Sequence, residues 1–102
     1  MKRYLVDSAA IRQNLETLKK RAGKARLFAV VKGNGYGLGL VPLSAICRDA
    51  GVDTFCVTEV SDAKQLRDAG FPQDILMIRP TCDVDEVHQL LDLSVILTVS
   101  SP

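Results

Sequence analysis

The 102-residue chain has no tryptophan, one histidine and only 5% aromatic residues. A lone His88 cannot assemble a metal cluster, and it reads as a helix-surface residue. The three cysteines, Cys47, Cys56 and Cys82, are odd in number and far apart, with no C-x-x-C pair. Each lies within or beside an apolar run, so they are read as buried free thiols of a reducing cytosol rather than a disulfide or metal site. Charge of one sign is lacking too: 13 Lys and Arg oppose 12 Asp and Glu. No basic block stands out, which removes the electrostatic case for a nucleic-acid or membrane-surface partner. The longest apolar runs are strand-sized, which excludes a transmembrane helix. Lys2, Arg3 and Asp7 turn the start polar too early for a signal-peptide h-region. The chain is expected to be cytoplasmic.

What is present is ordinary globular material, 47% hydrophobic and 25% charged, enough for one small domain. Residues 4–6 read as a short extended segment, with Asp7 as N-cap of a helix. That helix carries Ile11, Leu15, Leu18 and Ala22 on one apolar stripe and ends at Gly23. Residues 27–31, Leu-Phe-Ala-Val-Val, form a continuous apolar run, the pattern of a parallel strand buried on both faces. A glycine-rich loop follows, then a helix with Pro42 in its first turn and Leu43, Ile46, Cys47 and Ala50 on one face. The alternation continues. Strands are expected at 54–57, 75–78 and 95–99, separated by helices marked by Ala63, Leu66 and Ala69, and by Val84, Val87, Leu90 and Leu91. Arg48-Asp49-Ala50-Gly51 and Arg67-Asp68-Ala69-Gly70 are identical tetrapeptides, each closing a helix before a strand. Shared geometry explains them: a left-handed glycine after the last helical turn. Four strands alternating with helices imply a parallel sheet. Both a doubly wound sheet and half of a (β/α)₈ barrel fit, since a whole barrel needs about 250 residues.

The chemistry concentrates in Ala29-Val30-Val31-Lys32-Gly33-Asn34-Gly35-Tyr36-Gly37-Leu38-Gly39. A lysine ends an apolar strand, and glycine occupies every second loop position. Carboxyl ends of parallel strands form the ligand face of such folds, so the Lys32 amine is aimed at the site. Burial there would penalise its ammonium form and favour the neutral amine that a Schiff-base nucleophile requires. The glycines permit close backbone approach and leave amides free for phosphate. A lysine snorkelling beside a flexible turn fits the spacing equally well. The loop is neither a P-loop nor the dinucleotide fingerprint, because it offers G-x-G-x-G and lacks G-K-[ST].

The same run resembles the pyridoxal-phosphate (PLP) attachment motif of the alanine racemase family, typically A-V-V-K-A-N-A-Y-G-H-G. Val6-Asp7, Ala10-Ile11 and Asn14-Leu15 resemble the family's opening V-D-x-x-A-I-x-x-N-L. Leu66-Arg67-Asp68-Ala69-Gly70 with Ile75-Leu76, and Leu97-Thr98-Val99-Ser100-Ser101, resemble further segments in order. Gly33 and Gly35 stand where alanines are common, and Leu38 replaces the frequent histidine.

The resemblance implies an α/β fold: residues 1–102 as the first half of a (β/α)₈ barrel, about four parallel strands, without the second half or a C-terminal β domain. It implies a PLP-dependent isomerase that interconverts L- and D-alanine for cell-wall synthesis. Lys32 would carry PLP as a Schiff base and act as the catalytic base on one face of the substrate. Tyr36 would bind the cofactor phosphate, and a tyrosine of a partner subunit in a homodimer would serve the other face. Neither nucleic acid nor membrane is an expected partner, and the 102-residue chain alone is expected to be inactive. Two alternatives remain: a relative acting on serine or another amino acid, and a non-catalytic PLP-binding module. Arg79, at the rim after the third strand, is expected to form a surface salt bridge.

Overall fold

The computed structural model describes residues 8–32 and 39–100. The expected segment at 4–6 and the Asp7 cap lie outside the described residues. Elements follow in the order α1 (Ser8–Ala22), β1 (Phe28–Val30), α2 (Leu40–Asp49), β2 (Thr54–Val57), α3 (Val60–Asp68), β3 (Asp74–Met77) and α4 (Val84–Asp92). The strands form one parallel sheet in the order β1-β2-β3. Phe28 pairs with Thr54, and Thr54 with Asp74.

The expected fourth strand at 95–99 is reduced to a single parallel bridge between Leu76 and Ile96. Ile96 N–H donates to Ile75 O at 2.7 Å, and Met77 N–H donates to Ile96 O at 2.9 Å. The next ladder bond would run from the Thr98 amide to the Met77 carbonyl. Instead the Thr98 hydroxyl donates to that carbonyl at 2.6 Å. A side-chain donor has taken the backbone acceptor and stopped the ladder.

Residue parity sorts the sheet into two faces. Val31, Phe55, Val57, Ile75, Met77 and Val95 point into the core, against helix residues such as Leu43, Leu66 and Leu90. The Phe55 and Phe71 rings meet edge to face at 5.8 Å, a favoured geometry for aromatic quadrupoles. The opposite face is open: Phe28, Val30 and Ile96 are 49%, 45% and 49% exposed. Burial on both faces therefore holds for β2, whose four residues are all buried, and fails for β1. A central strand is covered by its neighbours, whereas β1 has a neighbour on one side only.

Three helix ends share one construction. After α2, the Gly51 amide bonds Arg48 O at 2.9 Å and the Val52 amide bonds Cys47 O at 3.0 Å. After α3, Gly70 and Phe71 bond Arg67 O and Leu66 O in the same way, each at 3.0 Å. These are Schellman closures, with the following apolar residue packed back on the helix. The repeated tetrapeptide thus has the expected structural role, with Gly51 and Gly70 at φ 97° and 86°. α4 closes identically through Ser94 and Val95, but Ser94 occupies the left-handed position at φ 56° without being glycine.

Several expected apolar stripes are narrower than their spacing suggests. On α1, Ile11 and Leu15 pack against the core, whereas Leu18 is exposed. Lys19 of the same turn reaches the Ala50 and Gly51 carbonyls, each at 3.4 Å, a cation at the C-terminal end of α2. Ala69 is the exposed C-cap of α3. Val84 and Leu91 of α4 are exposed, while Leu90 is fully buried. Asp83 caps α4 by accepting from the Glu86 amide at 3.0 Å, leaving Val84 at the outer first turn. No described helix is long and apolar enough to cross a membrane.

Candidate functional site

The carboxyl ends of β1, β2 and β3 open on one rim. Val31 is buried and its amide donates to Cys56 O at 2.9 Å, the bond that closes the Val30–Cys56 pair, the last of the β1–β2 register. Lys32 is the next residue, on the parity of Phe28 and Val30, and so belongs to the open face. It is exposed. The expected burial of its ammonium is therefore not found. The open face carries no covering layer over β1, so solvent reaches the strand end. Tyr36, with the glycine positions 33–37, lies outside the described residues.

The register assembles a row around Lys32. Val30 pairs with Cys56, Cys56 with Leu76, and Leu76 with Ile96. Continued by alternation two residues beyond these pairs, the same face would carry Lys32, Thr58 and Ile78, whereas Thr98 leaves the row because its hydroxyl turns to the Met77 carbonyl. The Ile78 amide donates to Val57 O at 3.0 Å, which keeps β2 and β3 together up to this row. Neither Thr58 nor Ile78 stands in a local motif, since their place at this end of the sheet follows from strand pairing.

Arg79 stands just outside the row. Its Nε donates to the Thr58 carbonyl at 3.0 Å. Nη2 lies 3.0 Å from Glu86 Oε1 and 3.7 Å from Glu59 Oε2. The expected salt bridge is present, and it does more than decorate the surface: it ties the ends of β2 and β3 to the first turn of α4. The contact to Glu86 Oε1 is an ion pair without the angle of a hydrogen bond. Close by, Asp62 is buried in the first turn of α3. Its burial, then the Glu59 charge, push its carboxyl above the usual carboxylate range.

The cysteines take no part in this rim chemistry. Cys47 and Cys56 are buried, and burial pushes both thiols up, away from the reactive thiolate. Cys82 is exposed, against the expectation of burial, because it lies in the loop before α4. His88 sits on the exposed side of α4 as expected. Among the described residues no group of three or more His, Cys, Asp or Glu side chains could hold a metal ion.

Successive parallel β–α units in sequential order, with a lysine at the carboxyl end of the first strand, define the front of a barrel-type enzyme domain. The chain belongs to the alanine racemase family: residues 6–102 match its N-terminal domain. The alanine racemase of Desulforamulus reducens is 37% identical over 95 residues, covering 92% of this chain and 25% of that protein. That of Nitrosomonas europaea is 40% identical over 88 residues, covering 86% and 24%. The crystal structure of alanine racemase from Corynebacterium glutamicum superposes with a TM-score of 0.82 at 37% identity, covering 95% of this chain and 28% of that one. The E. faecalis alanine racemase structure gives 0.84 at 32% identity, covering 94% and 26%. The fold is accordingly the N-terminal part of the alanine racemase barrel, and the chain spans about a quarter of the length of the curated relatives it matches.

Proposed function

We propose that this chain supplies the cofactor lysine of a PLP-dependent alanine racemase acting as a homodimer. The observation that carries the reading is Lys32: an exposed amine at the carboxyl end of β1, on the open face, opening the Lys32-Gly33-Asn34-Gly35-Tyr36 run. The donor set fits the group, because an aldehyde cofactor requires a reachable primary amine at the ligand end of the sheet. PLP, when bound, supplies a conjugated ring that spreads the charge left as an α-proton departs. Lys32 Nζ would hold the cofactor and, as a free amine, would take or return a proton on one face of the amino acid. Tyr36 would be the residue that contacts the cofactor phosphate, as the motif implies. Arg79 keeps the rim around Thr58 in place, its Nε donating to the Thr58 carbonyl. The remaining contacts and the group on the opposite face come from outside these residues.

The test is covalent trapping. The protein is incubated with PLP, reduced with borohydride and mapped by peptide mass spectrometry. Label on Lys32 is expected. Label confined to Lys24 or Lys64 would show that the strand-end amine is not the cofactor site.

A further inference from the structure

Exposure on the open face of the sheet is concentrated at its two edges. One row of paired residues crosses that face: Val30, Cys56, Leu76 and Ile96. All four are apolar. Val30, on the edge strand β1, is 45% exposed and Ile96, at the other edge, 49%, whereas Cys56 between them is 4% exposed. The row therefore lacks a lateral neighbour at each end more than it lacks a lid over its middle. Phe28, on the same edge strand, adds to the patch. The Val31 amide bonds towards β2, so by alternation the amide and carbonyl of Val30 face the free edge. Residues 27–31 and 93–100 carry no charge, so neither segment has the charged side chains that usually guard an edge against an added strand.

We propose that the open face of this chain is closed by a second copy of the same chain, edge to edge, in a twofold dimer. A twofold axis parallel to the strands keeps every strand parallel and brings the Ile96 edge of each copy beside β1 of the other. Val30 then meets Ile96 of the second copy at both seams, so one contact pair, used twice, covers both exposed ends of the row. Three strands and the bridged segment at 95–99 from each copy make eight strand positions, the number that closes a barrel-type sheet. The Thr98 hydroxyl occupies the Met77 carbonyl on the β3 side, which leaves the outer side of that segment to the second copy. A free peptide strand would cover one edge and leave the other bare. The patch is on the order of a few hundred Å² per copy, short of the roughly 800 Å² per partner of a standard stable interface. The dimer is therefore expected to exchange with monomer according to concentration. The inference does not rest on the cofactor reading of Lys32.

The experiment uses the 102-residue chain. Sedimentation velocity over a concentration series is expected to show monomer and dimer and nothing larger, because two closed seams leave no edge for a third copy. A chain that stays monomeric throughout, or one that grows beyond the dimer, would overturn the proposal. Val30→Glu and Ile96→Lys then test the pairing. Each puts a charge at a half-exposed position, which the monomer tolerates, but in the dimer that charge is left unpaired at both seams. Each variant alone is expected to dimerise roughly tenfold more weakly or worse. Mixed in equal amounts, the two should recover a one-to-one heterodimer, with the introduced charges facing each other at one seam and Val30 against Ile96 at the other. Two folded variants that stay monomeric when mixed would refute the arrangement, since any packing that sets each position against its own copy predicts no recovery. Where a charged variant fails to fold, a disulfide decides instead. In Val30→Cys/Ile96→Cys, mild oxidation should join position 30 of one chain to position 96 of another, because paired strands bring Cα atoms within about 5 Å. Peptide mapping that finds no such cross-link would overturn the proposal as well.

Discussion

Two arginines in identical tetrapeptides should differ several-fold in what they contribute to stability. Arg67, two residues before the C-cap of α3, donates from Nε to Leu93 O at 2.7 Å. Nη1 donates to Phe71 O at 2.7 Å and Gln73 O at 2.8 Å, and Nη2 to Ser94 O at 3.1 Å. One guanidinium thus closes the turn into β3 and fastens it to the turn after α4. Arg48, at the same position of α2, makes no such fork. Its guanidinium lies 4.8 Å from the centre of the Phe71 ring, and its Nε pairs with exposed Asp49 at 3.3 Å. Hydrogen bonds from a charged donor contribute about 1.5–3 kcal/mol each when buried, and four on one side chain do not add. Water can reach part of this cluster, so Arg67→Ala should cost about 2–4 kcal/mol. A partly exposed cation–π contact is worth about 0.5–1 kcal/mol and an exposed ion pair little more than nothing, so Arg48→Ala should cost about 1 kcal/mol. For a domain of this size each kcal/mol moves the melting point by about 4–8 °C. The assay is thermal melting followed by far-UV circular dichroism, on dilute protein. A melting point for Arg67→Ala as high as that of Arg48→Ala would refute the claim that the four-carbonyl fork holds these turns together.

Ser94→Gly should stabilise the chain by about 1 kcal/mol, because a non-glycine residue in the left-handed region costs about that much; Gly70→Ala should destabilise it by a similar amount, and urea titration reads both. Phe28, Val30 and Ile96 leave an apolar patch on the open face, with unpaired strand edges beside it, so the isolated chain should self-associate. Replacing Val30 and Ile96 by threonine should shift it towards monomer in sedimentation velocity; parent chain that stays monomeric at high concentration would contradict this. Asp62→Asn should raise stability at neutral pH, since burial and the Glu59 charge place the folded carboxyl above its unfolded pKa. A raised carboxyl is penalised above its folded pKa and unpenalised below its unfolded one, so the advantage of Asn should shrink as pH falls through that interval. Melting curves at neutral and acidic pH with a constant difference between the two proteins would count against it.

Much of this architecture was legible before any coordinates. The run 27–31, the glycine closures and the helical spacing of Leu43, Ile46 and Cys47 each determine a local conformation from local chemistry, and all of them appear where expected. Lys32 and Tyr36 were legible as a motif for the same reason, since neighbouring residues in the chain carry the whole pattern. Other features depended on which strand lies beside which. Apolar spacing cannot tell that β1 is bare on one face while β2 is covered on both, because burial depends on neighbours supplied by distant sequence. The fourth strand failed at Thr98 because a hydroxyl outcompeted a backbone amide for the Met77 carbonyl, a contest between residues 21 apart in sequence. Arg48 and Arg67 stand in identical tetrapeptides, yet only Arg67 has four carbonyls within reach. Lys32 was expected to be buried and is exposed, because a strand end is desolvated only by a layer above it. Thr58 has no motif at all, and only the fold brings its carbonyl to Arg79, 21 residues further on. Local propensity determines each unit, but the row of side chains at the end of the sheet exists only once the strands have paired.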